Sequence, residues 1–203
     1  MKKMRMFLDI DKETQWLNEM DSKGWECSKV NSFGIFYFHK KGIENNHYQI
    51  DFQEFHRKIK FEEYVKFHED FGWKLIGGSW SSGKYYWQSN STKNENLFSD
   101  PSSELHFYNR ALNQYLSLAV LFMVFFFILN GNLNISIFRW RDAFYTPGLW
   151  EMTGSVFWSK FLFELPFAFL RWGAHLVIGV FVVYNFFISV KIQQKINQIK
   201  KLL

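Results

Sequence analysis

Two long apolar runs in the second half of the chain set the strongest limit on what it can fold into. Trp172–Val190 is 19 residues long and carries no formal charge except a possible one on His175. Tyr115–Leu129 is apolar apart from Ser117, and counting from Leu112 it extends to 18 residues. A helix needs about 20 such residues to cross the roughly 30 Å hydrocarbon core of a bilayer. One run of this kind also suits the core of a soluble protein. Two in succession point to a pair of transmembrane helices.

Charge divides the chain in the same place. Met1–Arg110 carries 16 Lys+Arg against 16 Asp+Glu, whereas Ala111–Leu203 carries 8 against 3, which is the whole net charge of +5. The excess base therefore accompanies the apolar runs, as in membrane proteins, and nucleic acid is not an expected partner. Four lysines (Lys191, Lys195, Lys200, Lys201) follow the second run in 13 residues, while the longer connecting loop carries Arg139, Arg141 and Lys160, partly balanced by Asp142 and Glu151. That bias places both termini in the cytoplasm of a two-pass cell-membrane protein. Asp9, Asp11, Lys12 and Glu13 interrupt the N-terminus too early for a signal peptide.

The organisation expected is a cytosolic domain over 1–90, a linker and juxtamembrane helix start over 91–110, and transmembrane helices over 111–130 and 166–190. Between them lies an extracytoplasmic, aromatic-rich loop over 131–165, whose 148–165 part suits an interfacial helix. The basic tail over 191–203 has Ile192, Ile196 and Ile199 at helical spacing. It either lies on the inner leaflet or simply stops translocation.

The first 90 residues read as one pattern written twice. Met6-Phe7-Leu8 runs into Asp9, a helical stretch with Trp16, Leu17 and Met20 follows, then Gly24-Trp25, then Gly34-Ile35-Phe36-Tyr37-Phe38. Tyr48-Gln49-Ile50 runs into Asp51, a helical stretch with Phe61, Tyr64, Val65 and His68 follows, then Gly72-Trp73, then Gly83-Lys84-Tyr85-Tyr86-Trp87. Each glycine before a tryptophan suits the left-handed residue that ends a helix, and Asp11 suits an N-cap. The fold class expected is α+β: a duplicated βαββ domain with a mainly antiparallel sheet and two helices on one face, followed by two transmembrane helices.

No catalytic or metal-binding constellation stands out, and no cofactor or enzymatic activity is expected. Gly78-Ser79-Trp80-Ser81-Ser82-Gly83-Lys84 approaches a phosphate-binding loop, but Tyr85 replaces the required hydroxyl residue and a strand follows, so a hairpin turn is the better reading. The alternation Asp9, Asp11, Glu13 lacks the glycine and distal glutamate of a calcium loop. Cys27 is the one cysteine and reads as a buried, inert thiol. His68 reads as a satisfied histidine at the edge of the core. Trp16, Trp25, Trp73, Trp80 and Trp87, with Phe36, Phe38 and Tyr85, exceed what a core of this size needs. A ligand groove between the two halves, built from Trp25, Phe36, Phe38, Trp73, Tyr85 and Trp87, is the functional reading, and core packing the ordinary one. In the second apolar run, Arg171 and His175 share a helical face with Glu164. Intramembrane ionisable groups suggest function, although Pro166 as the helix start would leave Glu164 outside and let Arg171 snorkel to the interface.

The strings KKMRMFLDIDKETQWLNEMDSKGWE, HYQIDFQ, FEEYVKFHEDFGWKL and NLFSDPSSE together resemble a bacterial domain of unknown function, the 2812 family, over about Met1–Arg110. The resemblance implies C-terminal membrane helices and genes often placed beside PadR-type transcriptional regulators, mostly in Gram-positive bacteria. It implies no activity and no catalytic residues. The paired βαββ pattern is also similar, at fold level, to the duplicated module of small-molecule effector-binding domains. The function expected is a membrane-anchored, non-enzymatic sensory or regulatory protein that meets membrane lipid and binds a ligand or a partner such as a transcriptional regulator. The alternative is an accessory subunit of a membrane transporter complex.

Overall fold

The computed structural model describes residues 1–42, 46–89, 101–133 and 140–201. Its elements run β1 (Lys2–Met4), α1 (Ile10–Ser22), β2 (Trp25–Val30), β3 (Ile35–Lys40), β4 (His47–Phe52), α2 (Lys58–Asp70), β5 (Trp73–Gly77), β6 (Lys84–Ser89), α3 (Pro101–Leu133) and α4 (Gly154–Lys200), with short 3-10 turns at Trp140–Ala143 and Leu149–Glu151. The chain is α+β. Its six strands form one sheet in the order β1-β3-β2-β5-β6-β4, antiparallel at every neighbour except β2 and β5. Two compact units divide the chain: Met1–Gln114 together with Ile188–Leu203, and Tyr115–Phe187.

Local chemistry explains the element ends. Gly24 and Gly72 follow the C-caps of α1 and α2 with φ of 83° and 81°, a conformation that costs glycine no Cβ clash. The N-cap of α1 is Asp9, not Asp11: the Asp9 side chain accepts the backbone N–H groups of Asp11 and Lys12, a bond worth about 1 kcal/mol. The first strand is Lys2–Met4 rather than the apolar Met6–Leu8; Phe7 instead packs on Trp16 and Phe36.

The two helices of the sheet domain lie on opposite faces, which corrects the expectation of a single helical layer. Successive residues of β6 show it. Tyr86 meets Phe36 and gives its hydroxyl to Glu13 of α1. Tyr85 and Trp87 meet Phe61 and Tyr64 of α2. Side chains alternate along a strand, so α1 covers the face of Phe36, Phe38 and Tyr86, and α2 covers the face of Tyr85 and Trp87. Between β2 and β5 only Val30 and Gly77 are in register. Side chains complete that seam: the Tyr48 hydroxyl caps the N–H of Cys27, and Gln88 donates to Glu26.

The start of α3 and the end of α4 belong to this same unit. Phe107, Tyr108 and Ala111 are buried, as are Ile188, Ile192, Ile196 and Ile199. The isoleucine face of the basic tail is therefore packed against protein rather than left for lipid. The linker expected over 91–110 lies outside the described residues as far as position 100 and is helical from Pro101.

The second unit reverses the usual burial. α3 and α4 contain 33 and 47 residues, about 50 and 70 Å at 1.5 Å per residue, and both are long and apolar enough to cross a membrane. Only 6% and 22% of their most apolar windows are buried, unlike the core helices of a soluble protein. They meet through Phe122 stacked on Phe181 and through Gly179 beside Phe126. α4 starts at Gly154, so Pro166 lies inside it rather than at its start, and Glu164 is a helical residue. Residues 154–165, expected as part of a separate interfacial helix, are its first turns. Of the aromatic loop, 134–139 lies outside the described residues.

Candidate functional site

The six aromatics singled out in the sequence do not line one groove. Phe36 and Phe38 stack beside each other on the α1 face, against Trp16. Trp73, Tyr85 and Trp87 form a buried cluster on the α2 face with Phe55, Phe61 and Tyr64 packed on it. Trp25 is half-buried at the start of β2. His68 is satisfied there too: it is buried, stacks on Trp87 at 4.4 Å and pairs its Nδ1 with the Tyr64 carbonyl. These side chains build two cores, one on each face of the sheet.

What stands between the elements instead is a set of carboxylates, each bound by groups from different parts of the chain. Glu13, buried on α1, accepts the Tyr86 hydroxyl at 2.6 Å and pairs with Lys84. Asp51, buried on β4, accepts the Tyr64 hydroxyl of α2 at 2.7 Å and the Arg110 guanidinium of α3 at 2.9 Å. Asp21 holds Asn46 and Lys41 where α1 ends. Burial pushes the Tyr64 and Tyr86 phenols far up, with the neighbouring carboxylates adding to it, so both stay protonated donors.

Asp11 joins the most distant partners. Having been left free by Asp9 as the cap, it accepts the Tyr108 hydroxyl of α3 and, at 3.0 Å, the Lys195 ammonium of α4. The pair spans 184 positions in sequence, and Lys195 also stands over the Tyr108 ring. Two cavities open beside this carboxylate. One of about 420 Å³ lies among α1, β4 and α3, with Thr14, Gln49, Glu104 and Phe107 in its wall. The other, about 320 Å³, lies towards α4, against Leu8, Gln194 and Gln198. Both have the size of small-molecule sites, and their walls set carboxylate, amide and ammonium groups beside the Tyr108 ring. The sequence carries no functional signal for Tyr108 or Glu104, shows Lys195 only among the tail lysines, and shows Asp11 as a cap candidate and as one of three alternating carboxylates.

Arg171 and His175 belong to a separate cluster in the second unit. Glu164 is buried and accepts the backbone N–H groups of Tyr145 and Thr146 together with the Arg171 guanidinium at 3.3 Å. Arg171 also donates to the Ala143 carbonyl at 2.8 Å and lies 4.0 Å from the Tyr145 ring centroid. It is thus held by protein groups rather than extended alone. His175 is fully buried, and its Nδ1 faces the Arg171 carbonyl at 2.8 Å. A buried ion pair offsets its desolvation only with such additional hydrogen bonds, and here they tie the 140–146 segment to α4.

The remaining sequence features take structural roles. The glycine-rich stretch is the turn between β5 and β6; the Ser82 hydroxyl bonds the backbone of Ser79 and Lys84. Gly83 has φ of 69°, and a Cβ there would meet the Gln114 side chain at 2.6 Å. Burial pushes the Cys27 thiol up to about 12, so it stays protonated and unreactive. Among the described residues, no group of three or more His, Cys, Asp or Glu is arranged to hold a metal ion.

No curated protein and no solved structure matches the chain. A family model described as a protein of unknown function does match, over residues 9–120, from the cap of α1 into the apolar part of α3. That stretch is more than half of the 203 residues, and the chain therefore belongs to the DUF2812 family.

Proposed function

We propose that this is a membrane-anchored, non-enzymatic sensory or regulatory protein whose cytosolic domain passes its binding state to two transmembrane helices. The observation that carries the reading is the Asp11 joint. The cytosolic ends of both apolar helices, through Tyr108 and Lys195, hold the same side chain of α1, beside two cavities of ligand size. A ligand or protein that moved α1 would act on both helices together. Coupling of this kind requires differential contacts in two states, and a half-exposed ion pair with modest energy is easily exchanged.

We read the cytosolic domain as two βαββ units, β1-α1-β2-β3 and β4-α2-β5-β6. The strand order β1-β3-β2 is repeated in reverse as β5-β6-β4 across the parallel β2–β5 seam. Units related by a two-fold axis along the strands exchange faces, which accounts for helices on opposite sides. The exposed apolar surfaces of α3 and α4 support membrane crossing, and the lysines after Val190 support cytoplasmic termini.

The accessory-subunit alternative drew on the short first span and on polar groups in the second membrane segment that would be better satisfied against other helices. Glu164 and Arg171 have partners within the chain, which favours the first reading, while the buried His175 Nε2 has none among the described residues. The test is affinity purification of the full-length protein from its own membranes, with mass spectrometry of what accompanies it. A small molecule or a soluble partner, including a transcriptional regulator, is the expected result. A stoichiometric transporter subunit, or nothing at all, would overturn the reading.

A further inference from the structure

Both ends of the cytosolic sheet expose apolar side chains: Phe67 and Phe71 stand at the end of α2, and a further group stands at the other end. The Val30–Gly77 pairing is parallel, so the β2–β3 and β5–β6 turns project from the same end. The segment after β1 is there too, since the Arg5 N–H bonds the Gly34 carbonyl, and so is the segment after β4, since the Gln53 N–H bonds the Gly83 carbonyl. At these turns stand Phe33, 79% exposed, and Trp80, 46% exposed. Met4, Met6 and Ile59 are exposed around them. Gathered apolar side chains of this kind mark an interaction surface, and the path of the chain distinguishes this end from the one with Phe67 and Phe71.

The chain itself indicates what covers this end. Gln114 of α3 donates to the Ser82 carbonyl and packs on Gly83 in the β5–β6 turn, and the apolar run of α3 begins at the next residue, Tyr115. α4 rejoins the domain at Ile188, which shares a cavity wall with Leu8, just beyond Met6. The chain thus leaves and re-enters the domain at the end where Phe33 and Trp80 project. We propose that this end is a membrane-docking face, resting on the headgroup layer of the bilayer, with Phe33 and Trp80 as its interfacial anchors. Tryptophan favours that layer because one part of its ring is apolar and its N–H is polar. Arg5 and Arg57, both exposed at the same end, add attraction to lipid phosphates, against the one exposed carboxylate of Glu54 beside them. The glycine-rich turn then has a role: it brings Trp80 to the level at which α3 turns apolar.

This inference rests on the membrane-anchored reading, and the experiment separates the two. Cys27 is buried and protonated, so the full-length chain accepts single nitroxide labels at introduced cysteines. F33C and W80C probe the docking face, F71C the opposite end of the domain, and V124C and V183C the apolar helices; all five positions are exposed. In liposomes of phosphatidylethanolamine and phosphatidylglycerol, the ratio of oxygen to nickel-complex accessibility reports depth. Labels at 33 and 80 are expected to show a severalfold higher ratio than the label at 71, and a lower one than labels at 124 and 183. Ratios at 33 or 80 equal to that at 71, with 124 and 183 in lipid, overturn the docking face and leave the anchor intact. Aqueous values at 124 and 183 overturn the anchor and the docking face together.

Discussion

The two units of this protein obey opposite burial rules. In the sheet unit, Tyr48, Tyr85, Trp87 and Leu17 are buried and the lysines and glutamates of α1 and α2 are mostly outside. In the Tyr115–Phe187 unit, Phe163, Leu170 and Val183 point outward, while Glu164, His175 and Asn185 are buried. Hydrogen bonding follows the same split. Outward polar groups of the first unit form exposed pairs such as Lys58–Glu62, worth only tenths of a kcal/mol. In the second, Glu164 and Arg171 have protein partners at Tyr145, Thr146 and Ala143. That difference accords with the proposed membrane anchor, since water tolerates unpaired polar surface and hydrocarbon does not.

Substitutions can break that comparison. The largest effect is expected from W87A. Trp87 is fully buried beneath Tyr64 and His68, and truncation should cost about 3–5 kcal/mol, read as a lower denaturant midpoint for the sheet domain. Next comes V183K, at a position as exposed as many surface residues. A lysine there should cost about 2.5–3.5 kcal/mol if the helix is in lipid, seen as failed insertion in a membrane-integration assay. F71K, equally exposed on the sheet unit, should stay within about 0.5 kcal/mol. Should V183K prove as harmless as F71K, the contrast between the units collapses.

Smaller effects sharpen it. K195A removes a pair whose side chains are 38% and 39% exposed, so stability should fall by no more than about 1 kcal/mol. The tail should nevertheless loosen, with faster amide hydrogen exchange over 191–200 than in the unaltered protein; unchanged exchange would show that the isoleucine face alone holds it. The smallest effect concerns His47, whose pKa burial lowers from 6.5. The unfolded chain takes up this proton at about 6.5, the folded one only at lower pH. Stability should therefore decline as pH falls from about 7 towards 5, by well under about 1 kcal/mol because the ring is half-exposed. H47Q should flatten that slope in paired urea titrations.

How far the sequence was legible depended on how local each cause is. The helix ends at Gly24 and Gly72 were readable because a positive φ is a property of one residue. β1 was misplaced because a three-residue exposed edge strand buries nothing and leaves no apolar pattern, whereas the apolar Met6–Leu8 segment is not a strand. Pro166 suggested a helix start, but a proline removes only one donor and α4 continues through it. The single aromatic groove failed for a related reason. Tyr85, Tyr86 and Trp87 are all aromatic, so the alternation that sends Tyr86 one way and its neighbours the other is invisible in composition.

By itself, then, the sequence determined the α+β class, the order of elements around the glycines, the two apolar helices and the family. These follow from propensities and patterns that extend over a few residues or one apolar run. Only the tertiary structure decided which face each helix covers and that the C-terminal isoleucines belong to the sheet unit. It also decided that Asp11, Asp51 and Glu13 bind partners from separate elements. Those outcomes depend on strand order and on contacts as distant as 184 positions; a carboxylate's local sequence specifies that it seeks a donor, but not which donor the fold will bring to it.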